Sequence, residues 1–239
     1  MTNQPSATVT LAELTKSSIG GVENYRLTWD NFLLMTNYGQ HETWVYLTTG
    51  QGLVIHQPLN KVLREFAIQN QYYSRYAVPY YEYLSHTCTI RGLVAGYNIL
   101  VPSMGSNNPE VVYYMTKPLR DHIYLEQQQG MLLNYDQVKV VIPAYPKKFE
   151  KILKHADRVS HCQIKVLREM MRLFGIAEET VAVGNQYYEQ EQDTQMVNEL
   201  QEQIYGYLFN SFHELLYGEK LTAEQLKKLC EVLFLPWKR

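Results

Sequence analysis

The chain has 239 residues, of which 46% are apolar and 19% are charged, so it has enough apolar surface to bury a sizeable core. This length fits one large domain, or one domain with a helical appendage. The formal net charge of −2 excludes a uniformly basic nucleic-acid binder. Any such role would depend on charge that is segregated along the chain.

The three cysteines, Cys88, Cys162 and Cys230, lie far apart and form no Cys-x-x-Cys pair. This excludes a disulfide scaffold and a cysteine-rich zinc module, and it is typical of a protein in a reducing compartment. The sequence has no run of 18 apolar residues, and its first residues lack a basic segment followed by an apolar one. We therefore expect a cytoplasmic protein without a membrane segment or a secretory leader.

The residue pattern of the first 143 positions predicts a sheet with short helices. Residues 1–24 are polar and predict a flexible N-terminal arm. Two short helices are predicted, one that begins at Pro58 and one over residues 76–85. Runs rich in β-branched and aromatic residues predict strands at 25–27, 32–36, 43–49, 53–56, 97–101, 111–116, 122–126, 131–135 and 137–143. Since only Asp136 separates the last two, a tight hairpin or a bent strand is expected there.

The second part of the chain has helical periodicity. One long helix is predicted over residues 147–174, ended by Gly175, and another over 195–216, ended by Gly218. Thr222 and Gln225 form a capping-box pattern for a last helix over 223–234. Strand runs followed by helix runs predict an α+β fold, with an antiparallel sheet and two short helices in the N-terminal half and helices in the C-terminal half. The predicted domains are the arm, an α+β domain over 25–175 and an acidic helical extension over 176–239.

Charge is divided sharply along the helical part. Residues 144–175 carry eight basic and three acidic side chains, whereas residues 176–219 carry nine acidic side chains and no lysine or arginine. Eight side chains of the first segment recur at alternating spacings of four and three, which places them on one face of a helix. We call this set the basic ridge: Lys147, Lys151, Lys154, Arg158, His161, Lys165, Arg168 and Arg172.

An apolar set occupies the opposite face of the same predicted helix: Phe149, Ile152, Leu153, Ala156, Ile164, Leu167, Met170, Met171 and Phe174. Three interpretations of the basic ridge remain open. It could be solvated or paired with the acidic segment, it could follow the phosphates of a nucleic acid, or it could lie on a membrane surface. From the residues alone they rank in that order, since the apolar face is needed for the core.

Catalytic and metal-binding patterns are not evident in the sequence. The seven histidines form no His-Glu-x-x-His pattern, and neither glycine-rich phosphate loops nor a Gly-x-Ser-x-Gly motif occurs. A nucleophilic Cys88 beside His86 would lack a positioned base, so a structural thiol is the better interpretation. We expect no enzymatic activity, no metal and no cofactor.

The order of elements resembles the ComK family of competence transcription factors. Residues 57–66 look like its first helix, Tyr73-Ser74-Arg75 stands at its glycine–arginine block, and residues 81–84 fit its short helix. Residues 98–102, 111–118 and 121–126 are similar to its three motif strands. Residues 138–159 resemble its Leu-Pro-x-Ser-Tyr segment and the helix that follows. The resemblance covers about residues 25–172.

This resemblance implies a DNA-binding activator that recognises paired AT-rich boxes as a homo-oligomer, largely through the narrow and electronegative minor groove. It also implies adaptor-mediated delivery to a Clp protease. The implied DNA-binding residues are Arg75, Lys117, Arg120, Lys147, Lys148, Lys151, Lys154, Arg158, Lys165 and Arg168. The alternative is a non-catalytic protein–protein interaction module whose basic helix pairs with an acidic partner or with its own acidic C-terminal helices.

Overall fold

A computed structural model describes residues 8–17, 20–70, 77–84, 90–173 and 194–234. The chain divides into two compact units. The first consists of Met1–Tyr73 and Thr87–Ser160, and the second of Ser74–His86 and His161–Arg239. In the described part of the chain, none of the helices has the length and hydrophobicity that crossing a bilayer requires.

The described residues form strands and helices whose order follows the predicted one. The strands are β1 (Thr8–Thr10), β2 (Gly21–Val22), β3 (Phe32–Tyr38), β4 (Glu42–Leu47), β5 (Gly52–Ile55), β6 (Leu93–Ala95), β7 (Asn98–Pro102), β8 (Val112–Met115), β9 (Leu119–Leu125), β10 (Gly130–Tyr135) and β11 (Lys139–Pro143). The helices are α1 (Leu11–Lys16), α2 (Leu59–Gln69), α3 (Val78–Leu84), α4 (Pro146–Leu173), α5 (Thr194–Tyr217) and α6 (Ala223–Phe234).

The larger sheet of the first unit has seven strands in the order β2-β5-β4-β3-β8-β7-β6. All neighbours are antiparallel except β2 and β5. Met35 lies opposite Val45 on one side and Tyr113 on the other, and all three are buried. Helix α2 adds Phe66 to this core, where its ring meets Phe32 edge-on at a centroid distance of 5.5 Å. Burial of such rings removes large apolar areas from water and stabilises the layer.

The smaller sheet has four strands in the order β1-β11-β10-β9. Strands β10 and β11 pair antiparallel from Gly130↔Pro143 to Asn134↔Lys139, and Tyr135 N–H donates to the Val138 carbonyl at 2.9 Å. The predicted tight hairpin around Asp136 is confirmed.

The second unit is helical within its described residues. The Tyr83 hydroxyl on α3 donates to Glu199 Oε2 on α5 at 2.8 Å. The predicted capping box of α6 is confirmed, because Thr222 N–H donates to Gln225 Oε1 at 2.8 Å and Gln225 N–H donates to Thr222 Oγ1 at 3.3 Å. The predicted end of α5 is also confirmed, since Gly218 follows the helix with a φ of +77°.

The predicted α+β fold, with a β-rich N-terminal half and a helical C-terminal half, is confirmed. Three local features differ from the prediction. Strand β6 was not predicted and pairs with β7 at the end of the larger sheet. Residues 8–17 and 20–22, assigned to a flexible arm, hold β1, α1 and β2, because Thr10 and Glu13 cap α1 reciprocally and β1 pairs parallel with β11. The strand predicted over 25–27 is wrong, because the Asn31 side chain binds Thr28 N–H and the Arg26 carbonyl within a loop.

Candidate nucleic-acid interface

Helix α4 presents its basic residues because its other face is anchored in the core. The Tyr145 carbonyl accepts Lys148 N–H at 3.0 Å and Phe149 N–H at 2.8 Å, which closes the first turn. The Phe149 ring is fully buried and stacks on Tyr114 at a centroid distance of 5.1 Å. Ile152 is buried on the same face. Helical spacing then directs the intervening lysines to the opposite side.

Five cations on this part of α4 stand in solvent. We call them the basic patch: Lys147, Lys148, Lys151, Lys154 and Arg158. All five are exposed, and within the described ranges none of them forms an ion pair with a carboxylate. The structure therefore brings together five of the ten predicted DNA-binding residues on one exposed surface of the first unit.

The same helix segment also carries two carboxylates, Glu150 and Asp157. Glu150 Oε1 lies 2.7 Å from His122 Nε2 on β9. Asp157 is half-buried, and burial raises the pKa of its carboxyl. Neither forms an ion pair with the basic patch in the described structure. The positive charge of the patch is thus not cancelled by an internal salt bridge.

Buried His155 lies close to three cations, two of which belong to the basic patch. Its side chain is only 5% exposed, and burial lowers the pKa of its imidazole. Arg158, Arg91 and Lys151 lower this pKa further through charge repulsion. Three cations thus act on one imidazole in the same direction, which indicates a locally positive field.

Arg91 is a functional candidate that sequence reasoning missed. It is an exposed residue just before β6, far from α4 along the chain, yet it lines a surface recess together with Lys148. A single arginine in a loop carries no periodic signal, so only the fold could place it beside the basic patch.

Two other predicted DNA-binding residues of the first unit are paired within the protein. Lys117 Nζ lies 3.2 Å from Asp30 Oδ1. Arg120 makes a two-pronged contact with Asp136, with Nε and Nη2 at 2.8 Å and 2.7 Å from the two carboxylate oxygens. This contact lowers the pKa of the Asp136 carboxyl, mainly through the hydrogen bond and also through the positive charge of Arg120. Both cations thus have a carboxylate partner at the protein surface, and their DNA contacts stay a prediction.

The second unit holds the rest of the basic ridge. Lys165 is half-buried and Arg168 is exposed. Burial lowers the pKa of His161, and Lys165 and Arg168 lower it further. Leu167 is 57% exposed, so the apolar face of the helix is not buried at this position. Arg75, the Cys88–His86 pair and residues 176–193 of the acidic segment lie outside the described residues, as does the side chain of Arg172.

No family model, curated protein or solved structure matches the chain. Among the side chains that the structure describes, no group of three or more histidine, cysteine, aspartate or glutamate residues is arranged to hold a metal ion. The exposed cations of α4 are therefore the feature from which a function can be argued.

Proposed function

We propose that the chain is a non-catalytic, ComK-like regulator that binds AT-rich duplex DNA through the basic patch of α4. The observation that carries this proposal is the exposure of five cations on helix α4, with no internal ion pair among the described residues. Lysine and arginine that neutralise phosphates release condensed counterions, and this release supplies much of the affinity for DNA.

The dimensions of the patch suit a phosphate backbone. From Lys147 to Arg158 the helix rises roughly 16 Å, at about 1.5 Å per residue. Duplex DNA carries one charge per roughly 1.7 Å of its axis, so the patch can meet several phosphates at once. Because such contacts fix position rather than sequence, the preference for AT-rich boxes rests on the family resemblance.

Binding of an AT-rich duplex at a series of salt concentrations tests this function. We expect the logarithm of the association constant to fall with the logarithm of salt concentration with a slope of about −4 to −5, since each neutralised phosphate contributes about −0.9. The double substitution Lys151→Gln and Lys154→Gln should make this slope shallower by about 2. Fluorescence anisotropy of a labelled duplex measures both quantities.

The matched control is Lys61→Gln, which removes an exposed helical lysine that already faces Glu65 at 3.8 Å. This variant should keep the slope of the unmodified protein. Absence of binding at low salt, or binding that does not respond to salt, would contradict the proposal.

The protein-interaction alternative uses the same five cations against an acidic protein surface. Polyglutamate as a competitor separates the two functions. If the chain binds polyglutamate as tightly as the duplex at equal charge concentration and shows no preference for AT-rich sequence, the alternative is favoured. If the duplex binds at least tenfold more tightly, the DNA function is favoured.

A further inference from the structure

A recess of about 280 Å³ opens in the first unit next to the basic patch. Its walls come from three separate segments: the residues before β6, the β7–β8 loop and the first turn of α4. Arg91 comes from the first of these and Lys148 from the last. Two cations from distant positions in the sequence thus converge on one concavity, and no carboxylate is among the described residues that line it.

The remaining polar groups of the recess belong to a structured loop. Asn108 N–H donates to the Gly105 carbonyl, and Asn108 Oδ1 accepts Glu110 N–H at 2.9 Å. Because the Asn108 oxygen is engaged, its amide nitrogen is the group left to donate hydrogen bonds. Asn107, next to it, adds a second side-chain amide. Primary amides of this kind can read the donor and acceptor edge of a nucleobase.

Aromatic surface completes the recess. Tyr145 lines it and is 68% exposed, an unusually open position for a large ring that precedes a helix. Tyr113 also lines it but is buried, and burial raises the pKa of its hydroxyl, which therefore stays protonated near neutral pH. An exposed ring beside cations offers a stacking platform for a base, as in proteins that bind single strands.

We infer that this recess binds a single unpaired nucleotide, with its phosphate between Arg91 and Lys148 and its base against Tyr145. The inference goes beyond the proposed function, because its ligand is an unpaired nucleotide and not a duplex. The asparagine amides contact the hydrogen-bonding edge of the base. The base must be unpaired, because pairing inside a duplex keeps that edge from a pocket. The ligand class is thus a nucleoside 5′-phosphate unit, free or at the end of a strand.

Titration of the full chain with a mononucleotide tests this inference independently of the duplex. We expect deoxyadenosine 5′-phosphate to bind saturably, and both deoxyadenosine and inorganic phosphate to bind at least tenfold more weakly. Tyr145→Ala and Arg91→Gln should each weaken the mononucleotide at least fivefold. Isothermal titration calorimetry at low salt measures these affinities.

Two variant classes separate the recess from the basic patch. Tyr145→Ala should leave duplex affinity within about twofold, whereas Lys151→Gln with Lys154→Gln should weaken the duplex and leave the mononucleotide unaffected. Mononucleotide binding without duplex binding would contradict the proposed function and support nucleotide binding in the recess. Duplex binding without mononucleotide binding, or inorganic phosphate that binds as tightly as the mononucleotide, would overturn the inference. Circular dichroism spectra checked for each variant confirm that folding is retained.

Discussion

At the scale of single residues, burial decides which charges are free to act. His155 and Lys154 are neighbours on α4, yet the imidazole is 5% exposed and the ammonium stands in solvent. The lysine can meet an external anion, whereas burial and nearby cations lower the pKa of the histidine and disfavour its charged form. Sequence spacing predicts Lys154 on the exposed basic face, and the structure shows that His155 is buried beside it.

The lowered pKa of His155 predicts how stability depends on pH. Its folded-state pKa lies below the ordinary value of about 6.5, so the unfolded chain binds its proton first as pH falls. This residue therefore contributes stability that is present above about pH 6.5 and is lost as pH falls through the folded-state pKa. We expect the free energy of unfolding to decrease between pH 7.5 and 5.5, measured by urea denaturation.

The comparison that isolates this residue uses two substitutions. His155→Gln should reduce the pH dependence, with a part retained because the pKa of His161 is lowered as well. Replacement of the exposed His41 by glutamine is the control and should not reduce it. Burial raises the pKa of Asp157, so this residue changes the free energy of unfolding in the opposite direction at acidic pH. The variants are therefore compared by the slope of their unfolding free energy against pH between 7.5 and 5.5. Equal slopes for the His155 variant and the unmodified protein would show that this imidazole does not drive the change.

At the scale of elements, local signals predicted most boundaries and missed contacts that are distant in sequence. The periodic pattern placed the long helix at 147–174, and α4 spans Pro146–Leu173. Helix α1 has a Thr10–Glu13 capping pattern in its sequence. It was not predicted, because its six residues are too few to show a clear helical periodicity of apolar side chains. Strand β1 is stabilised by parallel pairing with β11, whose residues lie about 130 positions away, so no local signal predicts it.

The candidate site likewise has one part that the sequence predicts and another that only the tertiary structure brings together. Four of the five members of the basic patch follow from helical spacing, whereas Lys148 lies outside that periodic set and was implied by the family resemblance. Arg91 and the asparagines of the β7–β8 loop reach the recess only through tertiary structure. For Lys117 and Arg120, sequence could not reveal that Asp30 and Asp136 lie within hydrogen-bond distance.

The β10–β11 hairpin depends on a glycine for a close approach rather than for backbone conformation. A Cβ atom at Gly130 would lie 2.7 Å from Val141 Cγ1 and 2.8 Å from the Ile142 carbonyl oxygen. The second atom belongs to the backbone and cannot move aside without disturbing the ladder. We expect Gly130→Ala to destabilise the fold by about 1–3 kcal/mol, as measured by chemical denaturation.

The matched control for this clash is Gly105→Ala, where the nearest atom to a new Cβ is Ile90 Cδ1 at 4.0 Å. This is ordinary van der Waals contact, and loss of glycine entropy in the unfolded chain should leave stability equal or slightly higher. Hydrogen exchange at the amides of β11 should accelerate only in the Gly130 variant. Equal stability of the two variants would refute the steric account of the hairpin.

At the scale of the whole molecule, a near-neutral total conceals opposed blocks of charge. The segment 144–175 is strongly basic and the segment 176–219 carries nine carboxylates. On α5 and just after it, Glu214 and Glu219 are exposed and form no ion pair in the described structure. Such carboxylates repel a polyanion over distances set by ionic strength, with a screening length of about 30 Å at 0.01 M and about 3 Å at 1 M salt.

Neutralisation of these two carboxylates distinguishes long-range repulsion from direct masking of the cations. With Glu214→Gln and Glu219→Gln together, we expect duplex affinity to rise roughly two- to threefold near 0.01 M salt and to equal that of the unmodified protein near 0.5 M, because screening removes the repulsion. The control Lys228→Gln, at an exposed lysine paired with Glu224, should not raise affinity. Fluorescence anisotropy across the salt series gives both comparisons. A gain that persists at high salt would mean that these carboxylates compete directly with DNA for cations, which is the behaviour that the protein-interaction alternative requires.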